Sequence, residues 1–370
     1  MTVPILDLVA EYASLRAAVD AAVARVIDRT AFVGGAEVQG FEAEFAAYLG
    51  ARHAIGVANG TDAIELALQA LGIGRGDAVL TVPFTFAATV EAIVRCGATP
   101  LFADIGADFT LDVDAAEAVL RARPVRAIVV VHLYGQPADL DRLLPLARRY
   151  GAAVIEDTAQ AHGAWVTVAG QRRRAGTVGD AGCFSFYPTK NLGAMGDAGA
   201  VVTDRDDLAA RVRLIANHGD RAKYDHVLPD GRNSRLDALQ AAVLRVKLPH
   251  LDTWNGARRA AAARYAAGLG DLPLGLPSTR AGVEHVYHQY AVRHARRDAV
   301  IAALAARGIG TGIHYPCPLH LQDGFRAFGC GAASLPVAEA AAAEVFSLPM
   351  SPFLSEAQSA EVIAAVRAVA

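Results

Sequence analysis

Residues 126–157 have the sequence RAIVVVHLYGQPADLDRLLPLARRYGAAVIED. The first eight residues are an almost continuous apolar run rich in β-branched side chains, which is typical of a strand buried on both faces. Residues 138–151 follow with the apolar spacing of an amphipathic helix that ends at Gly151, and residues 152–157 form a second apolar strand. A strand, a helix and a strand in this order predict two parallel strands of an α/β sheet.

The same alternation occupies the region before this segment. AIGVAN, DAVLTV and TPLFADI are predicted strands, and each is followed by a helical pattern. Residues 1–48 differ, because they hold two helical patterns, at 15–27 and 37–48, that are separated by AFVGG. We therefore predict an α/β fold with a mainly parallel central sheet and helices on both of its faces.

The pattern changes near residue 180. GCFSFYPTKN and GAVVTD predict closely spaced strands, and a long helical region follows them. Beyond residue 250, helices alternate irregularly with strands such as HVYHQYAVR, residues 285–293, which indicates a smaller α+β domain. We place the boundary near residue 245, so that residues 1–245 form a large domain and residues 246–370 a small C-terminal domain.

Composition narrows the class of protein. Hydrophobic residues make up 53% of the 370 residues, which is enough for a sizeable core and excludes a disordered chain. The net charge of -3 gives no indication of a nucleic-acid or acidic-membrane partner. No apolar run reaches the roughly 18–20 residues of a membrane span. The N-terminus, with acidic residues before any basic one, lacks the features of a secretion signal.

The four cysteines predict reduced thiols and a cytoplasmic location, because they form no CxxC pair in a long chain. We expect no metal site, since no compact group of cysteines and histidines has ligand spacing. His285 and His288 would point to opposite faces of the predicted strand at 285–293, and neither is assigned a role.

Lysine is rare, since only Lys190, Lys223 and Lys247 occur among 35 basic residues. Lys247 falls in an amphipathic helical pattern and Lys223 in a polar stretch, so both are expected at the surface. Lys190 follows the apolar strand CFSFY and precedes the glycine-rich NLGAMGDAG, so it can point into a cleft at the sheet edge. Burial there would lower the pKa of Lys190 and leave a nucleophilic amine, although such a lysine is often only a turn residue.

An anion site is predicted where the strand AIGVAN meets the following helix. Gly60 permits close approach of the backbone, and Thr61 and Asp62 lie at the helix start, where free N–H groups and the helix dipole attract an anion. The hydroxyl of Ser185, five residues before Lys190, could contact the same anion. The alternative is an ordinary helix cap formed by Thr61 or Asp62.

Three further side chains, Asp157, Gln160 and Phe86, are candidates for the same site as Lys190 and the anion site. Asp157 ends a buried strand, the usual location of functional groups in open α/β sheets, although it could instead cap a helix. Gln160 follows three residues later, and Phe86 lies between a strand and a helix, where an aromatic residue is usually part of the core. An amine, an anion site, an acid and a flat ring are what an aldehyde cofactor such as pyridoxal phosphate (PLP) requires.

Six motifs in this order give a specific resemblance over nearly the whole chain: GTDA, TFAAT, EDTAQAHG, FSFYPTKN, the NSRLDALQAA segment and HYPCPLHLQ. Together they resemble the DegT-type sugar aminotransferases, which are fold-type I PLP enzymes. The resemblance implies a Schiff base between Lys190 and PLP, and contact of Asp157 with the pyridine nitrogen. It also implies the remaining cofactor contacts, made by Gln160 at the ring hydroxyl, by stacking of Phe86, and by Gly60, Thr61 and Ser185 at the phosphate.

The resemblance also implies an assembly and a substrate site. Asn233 matches an asparagine that reaches the phosphate of the neighbouring subunit, so we expect a homodimer with shared active sites. Tyr315 and His320 lie in the segment expected to form a wall beside the sugar, and His218 is a further candidate for substrate binding.

The activity implied is transfer of an amino group, by ping-pong kinetics, from L-glutamate to a keto sugar linked to a nucleotide. HLYGQPAD and the segment from Asn233 to Asn255 are more similar to enzymes that act on a 3-keto-6-deoxyhexose than to those that act on a 4-keto sugar. The resemblance therefore favours a 3-keto-6-deoxyhexose linked to dTDP, in deoxyaminosugar biosynthesis. The alternatives are a 4-keto sugar, a keto-cyclitol, a PLP-dependent sugar dehydratase and a PLP-binding regulator without activity. The dehydratases have histidine where this chain has Lys190.

Overall fold

The computed structural model of the protein describes residues 3–329 and 331–370, so Cys330 lies outside the described residues. The strands are β1 His53–Val57, β2 Ala78–Thr81, β3 Thr99–Phe102, β4 Ala127–Val131, β5 Ala153–Asp157, β6 Trp165–Val168, β7 Gln171–Arg174, β8 Ala181–Ser185, β9 Gly199–Thr203, β10 Asp220–Ala222, β11 Asp225–His226, β12 Val283–Glu284, β13 Tyr290–Arg293 and β14 Val345–Leu348. The helices are α1 Leu8–Asp28, α2 Gly35–Leu49, α3 Gly60–Ala70, α4 Ala88–Arg95, α5 Val113–Ala122, α6 Leu140–Tyr150, α7 Asp206–Ala216, α8 Ala238–Lys247, α9 Leu251–Leu269, α10 Arg297–Ala305, α11 Pro336–Glu344 and α12 Glu356–Arg367.

The central sheet has seven strands in the order β1-β9-β8-β5-β4-β2-β3. Strands β3, β2, β4, β5 and β8 run parallel to one another, whereas β9 is antiparallel to both β8 and β1. The predicted mainly parallel sheet is therefore confirmed. Because β5 and β8 are parallel neighbours, their last residues, Asp157 and Ser185, lie at the same edge of the sheet.

Strand β4 shows why helices cover both faces of this sheet. All five of its residues are buried. Ile128 and Val130 pack into a core that includes side chains of α5 and α6, whereas Ala127 and Val129 pack on the opposite face with side chains of α3 and α7. Alternate side chains of a strand point to opposite faces, so a strand with no polar position needs an apolar layer on each side.

The C-terminal part has its own apolar core beneath the antiparallel pair β13 and β14. Val3 belongs to this core and pairs with Ile309, so the N-terminal residues pack with the C-terminal part of the chain. Residue 245 lies within α8, and α9 begins almost immediately after that helix. The division into residues 1–245 and 246–370 stays a prediction.

Two local predictions were wrong. Lys247 is not a surface residue, because it is 4% exposed, donates to the carbonyl of Gly193 at 2.7 Å and pairs with the buried carboxylate of Glu11 at 2.6 Å. The strand predicted over residues 285–293 begins only at Tyr290, and residues 285–289 form a loop. Within residues 3–329 and 331–370, no helix is both long enough and apolar enough to cross a bilayer.

Candidate active site

A cavity of about 660 Å³ opens at the edge of the sheet where β5 and β8 end. Most of the residues predicted for the site line this cavity, although they come from distant parts of the sequence. They are Gly60, Thr61, Asp62, Phe86, Asp157, Gln160, Ser185, Lys190 and Tyr315. The carboxyl edge of a parallel sheet is the usual place for a ligand, since loops from several strands converge there.

One wall of the cavity is the N-terminus of α3. Asn59 caps this helix, because its side-chain oxygen accepts a hydrogen bond from the N–H of Asp62 at 2.8 Å. The cap is therefore formed by neither Thr61 nor Asp62. The first N–H groups of a helix have no partner within the helix, so those of Gly60 and Thr61 are available to an anion in the cavity.

Ser185 lies directly against this helix start. A Cβ atom placed on Gly60 would stand 2.5 Å from the Cβ of Ser185 and 3.2 Å from its hydroxyl oxygen. Only glycine at position 60 therefore lets the end of β8 approach the first turn of α3. The contact brings two backbone N–H groups and one hydroxyl together, which suits a phosphate group.

Asp157 is held rigidly at the end of β5. Its carboxylate accepts a hydrogen bond from the Thr89 hydroxyl at 2.8 Å and one from the N–H of Ala159 at 3.2 Å. Thr89 is buried on α4 and its hydroxyl also lies 3.2 Å from that of Thr85. The carboxylate thus has a fixed orientation and lines the cavity, where it can stabilise a proton on a cationic group.

A tight turn after β8 places Lys190 in the cavity. The N–H of Lys190 donates to the carbonyl of Tyr187 at 2.9 Å, and Pro188 occupies the second position of this turn, which proline favours. Burial lowers the pKa of Lys190 to about 8, and the opposing attraction of the Asp157 carboxylate is the smaller effect. Much more of this amine is therefore neutral and nucleophilic near neutral pH than of an exposed lysine.

Aromatic and amide groups form the opposite wall. Gln160 accepts a hydrogen bond from the N–H of Tyr134 at 2.7 Å and donates to the hydroxyl of Tyr315 at 3.2 Å. Phe86 lines the cavity and is 58% exposed, and its ring centroid lies 6.1 Å from that of Tyr315. An exposed aromatic face in a cavity offers a stacking surface to a planar ligand.

Two histidines that sequence reasoning did not select also line the cavity, His288 and His314. The strand expected over residues 285–293 is a loop at residues 285–289, and from this loop His288 lines the cavity. His285 is indeed buried away from it, where its Nδ1 accepts from the N–H of Tyr287 at 2.8 Å. His314 could have been found from its position beside Tyr315, whereas nothing in the local pattern singles out His288.

Three predicted site residues lie outside this cavity. His320 is 1% exposed and its Nε2 lies 3.1 Å from the carboxylate of Glu339, so its assignment to the sugar-side wall is corrected. Asn233 and His218 are exposed on neighbouring strands of backbone, where Asn233 pairs with Asn217 and the N–H of His218 donates to the carbonyl of Arg232 at 3.0 Å. Neither lines the cavity of its own chain.

Comparison with known proteins identifies the family. The profile of the DegT/DnrJ/EryC1/StrS aminotransferase family matches residues 14–367. A dTDP-3-amino-3,4,6-trideoxy-alpha-D-glucose transaminase of Streptomyces venezuelae is 49% identical over 367 residues, which cover 99% of this chain and 95% of the relative.

Solved structures agree with this match. DesV of Streptomyces venezuelae, in complex with a ketimine intermediate, superposes with a TM-score of 0.95 and 49% identity, covering 99% of this chain and 98% of DesV. NtdA of Bacillus subtilis, with bound cofactor PMP, has a TM-score of 0.88 and 29% identity, covering 96% of this chain and 82% of NtdA. The predicted family and fold class are confirmed: the chain belongs to the DegT/DnrJ/EryC1/StrS aminotransferase family and is an enzyme of the transaminase class.

Proposed function

We propose that this aminotransferase binds PLP in the 660 Å³ cavity and moves an amino group from L-glutamate to a dTDP-linked 3-keto-6-deoxyhexose. The observation that carries the proposal is the convergence of Lys190, Asp157 and the start of α3 on one cavity. An amine, a carboxylate and a phosphate-sized anion site are the three groups that PLP needs from a protein.

The residues present fit this cofactor. The cradle between Gly60 and Ser185 would hold the phosphate, since a single added Cβ would fill it. Asp157 would face the pyridine nitrogen, Gln160 the ring hydroxyl and Phe86 the face of the ring. When bound, PLP supplies an aldehyde that accepts the amino group and a ring that withdraws electrons from the reacting carbon.

Lys190 and Asp157 have separate roles in the proposed reaction. The ε-amine of Lys190 would hold the aldehyde of the bound cofactor and, when free, would carry a proton between the carbon that loses hydrogen and the carbon that gains it. A pKa of about 8 suits both proton uptake and release near neutral pH. The Asp157 carboxylate would keep a proton on the ring nitrogen of the bound cofactor, because two hydrogen bonds hold the carboxylate in place as an acceptor.

The choice of acceptor rests on similarity. The Streptomyces venezuelae relative acts on an amino sugar that carries nitrogen at C3, is deoxygenated at C6 and is linked to dTDP, and it shares 49% of its residues with this chain. This supports a 3-keto-6-deoxyhexose over a 4-keto sugar or a keto-cyclitol. The lysine at position 190 favours a transaminase over a sugar dehydratase. The choice of L-glutamate as donor follows the family resemblance.

We further propose a homodimer in which Asn233 and His218 approach the cavity of the partner subunit. Both side chains are exposed and lie away from the cavity of their own chain. An exposed apolar surface lies nearby, where the backbone of Val33 pairs with Asp237 and where Phe32 and Val33 are themselves exposed. Burying such a surface in a dimer is favourable.

The free thiols of Cys96, Cys183 and Cys317 support the predicted cytoplasmic location.

Absorbance spectroscopy tests the proposal directly. The PLP-loaded protein should show a visible band that disappears on addition of L-glutamate and returns on addition of the keto sugar. The reverse direction is convenient, because dTDP-3-amino-3,4,6-trideoxy-α-D-glucose should remove the same band. A protein that binds PLP but responds to neither amine would be the regulator, and a response only to 4-amino sugars would favour the 4-keto alternative.

A further inference from the structure

The ring of His288 lies between two cavities. It lines the 660 Å³ cavity together with Lys190, and it also lines an adjoining cavity of about 150 Å³ together with Ser347 and Met350. His314, Gln289 and Thr189 line both cavities as well. The space around Lys190 therefore continues past His288, so a substrate bound beside Lys190 has room to extend along this histidine.

A chain of two buried asparagines orients His288. The side-chain nitrogen of Asn255 donates to the carbonyl of His162 at 2.8 Å, which leaves the side-chain oxygen of Asn255 as an acceptor. That oxygen accepts from the side-chain nitrogen of Asn191 at 2.8 Å, and the same nitrogen donates to the carbonyl of Val286 at 3.2 Å. Because backbone carbonyls can only accept, the orientation of both amides is determined.

These hydrogen bonds determine which ring nitrogen of His288 carries the hydrogen. The remaining oxygen of Asn191 lies 3.1 Å from Nδ1 of His288 and can only accept, so Nδ1 carries the hydrogen. Burial, and to a smaller extent the positive charge of Lys190, hold the pKa of His288 well below its ordinary value. The ring is therefore neutral, and Nε2 presents an unprotonated lone pair. Within the described residues, no protein group hydrogen-bonds to Nε2.

We propose that Nε2 of His288 accepts a hydrogen bond from a hydroxyl of the hexose, so that His288 is a specificity residue for the sugar substrate. This inference rests on the proposed function. A lone pair attracts O–H groups and repels carboxylate oxygens, and the carboxylates of L-glutamate therefore find no partner in this nitrogen. Asn191 and Asn255 are positioning residues, since they keep the hydrogen on Nδ1 and the lone pair toward the cavity.

Two amines react with the same form of the enzyme, so comparing them distinguishes a contact with the sugar from an effect on every substrate. In single-turnover experiments, L-glutamate and dTDP-3-amino-3,4,6-trideoxy-α-D-glucose each remove the visible band of the PLP-loaded protein. In His288→Phe, the concentration of amino sugar giving half the maximal rate should rise about tenfold, the value of one hydrogen bond, whereas that of L-glutamate should stay within about threefold. His288→Gln, which keeps an acceptor, should recover most of the loss.

The outcomes are distinct. If the half-maximal concentrations of both amines rose equally, the inference would be overturned. His288 would then act on Lys190 and not on the sugar. Failure of the wild-type protein to respond to any nucleotide amino sugar would overturn the proposed function, and this inference with it. Full activity of His288→Phe with the amino sugar would overturn the inference alone.

Chemical labelling provides a readout that does not depend on turnover. Diethyl pyrocarbonate acylates unprotonated imidazole nitrogens, so at pH 6 it should modify His288 in the full-length protein freed of cofactor. His285 is the control, because it is 4% exposed and should stay unmodified. The amino-sugar nucleotide, at a concentration that saturates binding in calorimetry, should protect His288, whereas dTDP alone should not. Protection by dTDP alone, or none by the sugar nucleotide, would contradict the assignment.

Discussion

Gly60 and Ser185 lie so close together that a Cβ on residue 60 would stand 2.5 Å from the Cβ of Ser185. This contact joins the first turn of α3 to the end of β8 and forms the proposed phosphate cradle. It links two residues that are 125 positions apart in the sequence.

Gly60→Ala should therefore weaken PLP binding without unfolding the protein. The added methyl group would move Ser185 away from the helix start, and the dissociation constant of PLP should rise at least about tenfold, as for loss of one hydrogen bond to a charged group. Fluorescence titration of the cofactor-free protein measures the constant. Gly256→Ala, where the only neighbour of the new Cβ is the side chain of Arg259 at 3.8 Å, is the matched control and should bind PLP normally.

The three lysines allow a clean test of the covalent site. Lys190→Ala should abolish both the visible band and transamination, because no other lysine lines the cavity among the described residues. Lys223→Ala should keep both, since Lys223 is exposed. Borohydride reduction followed by peptide mapping should label Lys190 alone. Label at Lys223 or Lys247, or turnover by Lys190→Ala, would contradict the assignment.

Uptake of PLP by the cofactor-free protein should depend on pH with a midpoint near 8. Only the neutral amine attacks the aldehyde, so the rate should fall about tenfold per pH unit below the pKa of Lys190, which is about 8, and level off above it. Asp157→Asn should shift the midpoint below 8, because the carboxylate raises this pKa. Stopped-flow absorbance measures the rates, and a midpoint near 10 would show that Lys190 is not buried.

The same pKa affects stability with a definite sign. The folded protein holds Lys190 with a pKa of about 8, whereas an unfolded lysine titrates near about 10.4. Between these values the unfolded chain binds more protons, so the contribution of Lys190 to the free energy of unfolding increases as the pH rises from 8 to about 10.4. Below pH 8 both states are protonated, and the contribution is constant and unfavourable.

The buried pair of Lys247 and Glu11 should matter for stability and not for chemistry. Lys247→Met leaves a carboxylate buried without its partner and should lower the free energy of unfolding by about 3–5 kcal/mol. Glu11→Leu combined with Lys247→Met should recover most of that loss, since no unpaired charge remains. Urea unfolding measures both, and the cofactor band should be unchanged in the double variant. Equal destabilisation of single and double variants would mean that the charges are not coupled.

Hybrid dimers test whether active sites are shared. When Lys190→Ala and Asn233→Ala chains are co-expressed, a hybrid dimer should contain one intact site, made of Lys190 from one chain and Asn233 from the other. The hybrid should then exceed the activity of either homodimer and approach half that of the wild type. If each chain completes its own site, the hybrid will show no gain over the Asn233→Ala protein.

The predictions that succeeded used information local to each segment. The uninterrupted apolar run of β4 predicted a strand buried on both faces, and the position of Asp157 at the end of the next strand predicted its location at the sheet edge. The scarcity of lysine reduced the search for an amine to three residues. Such features are carried by short stretches of backbone and by composition, so they could be recognised before any contact was known.

The failures concern contacts between distant segments. Lys247 has the pattern of an exposed helical residue, yet α1 covers it and Glu11 compensates its charge. His320 belongs to a sequence motif expected at the site, yet its side chain is buried and lies within hydrogen-bonding distance of Glu339. His288 lines the cavity from a loop, and Asn191 and Asn255, far from it in sequence, form the hydrogen bonds that orient its ring. By itself, the sequence determined the fold class and the family, because the apolar periodicity and the motifs are carried by short stretches of the chain. It also reduced the candidate amines to three lysines. Tertiary structure alone decided which polar groups meet, because a buried charge or imidazole takes its state from partners that the fold brings to it.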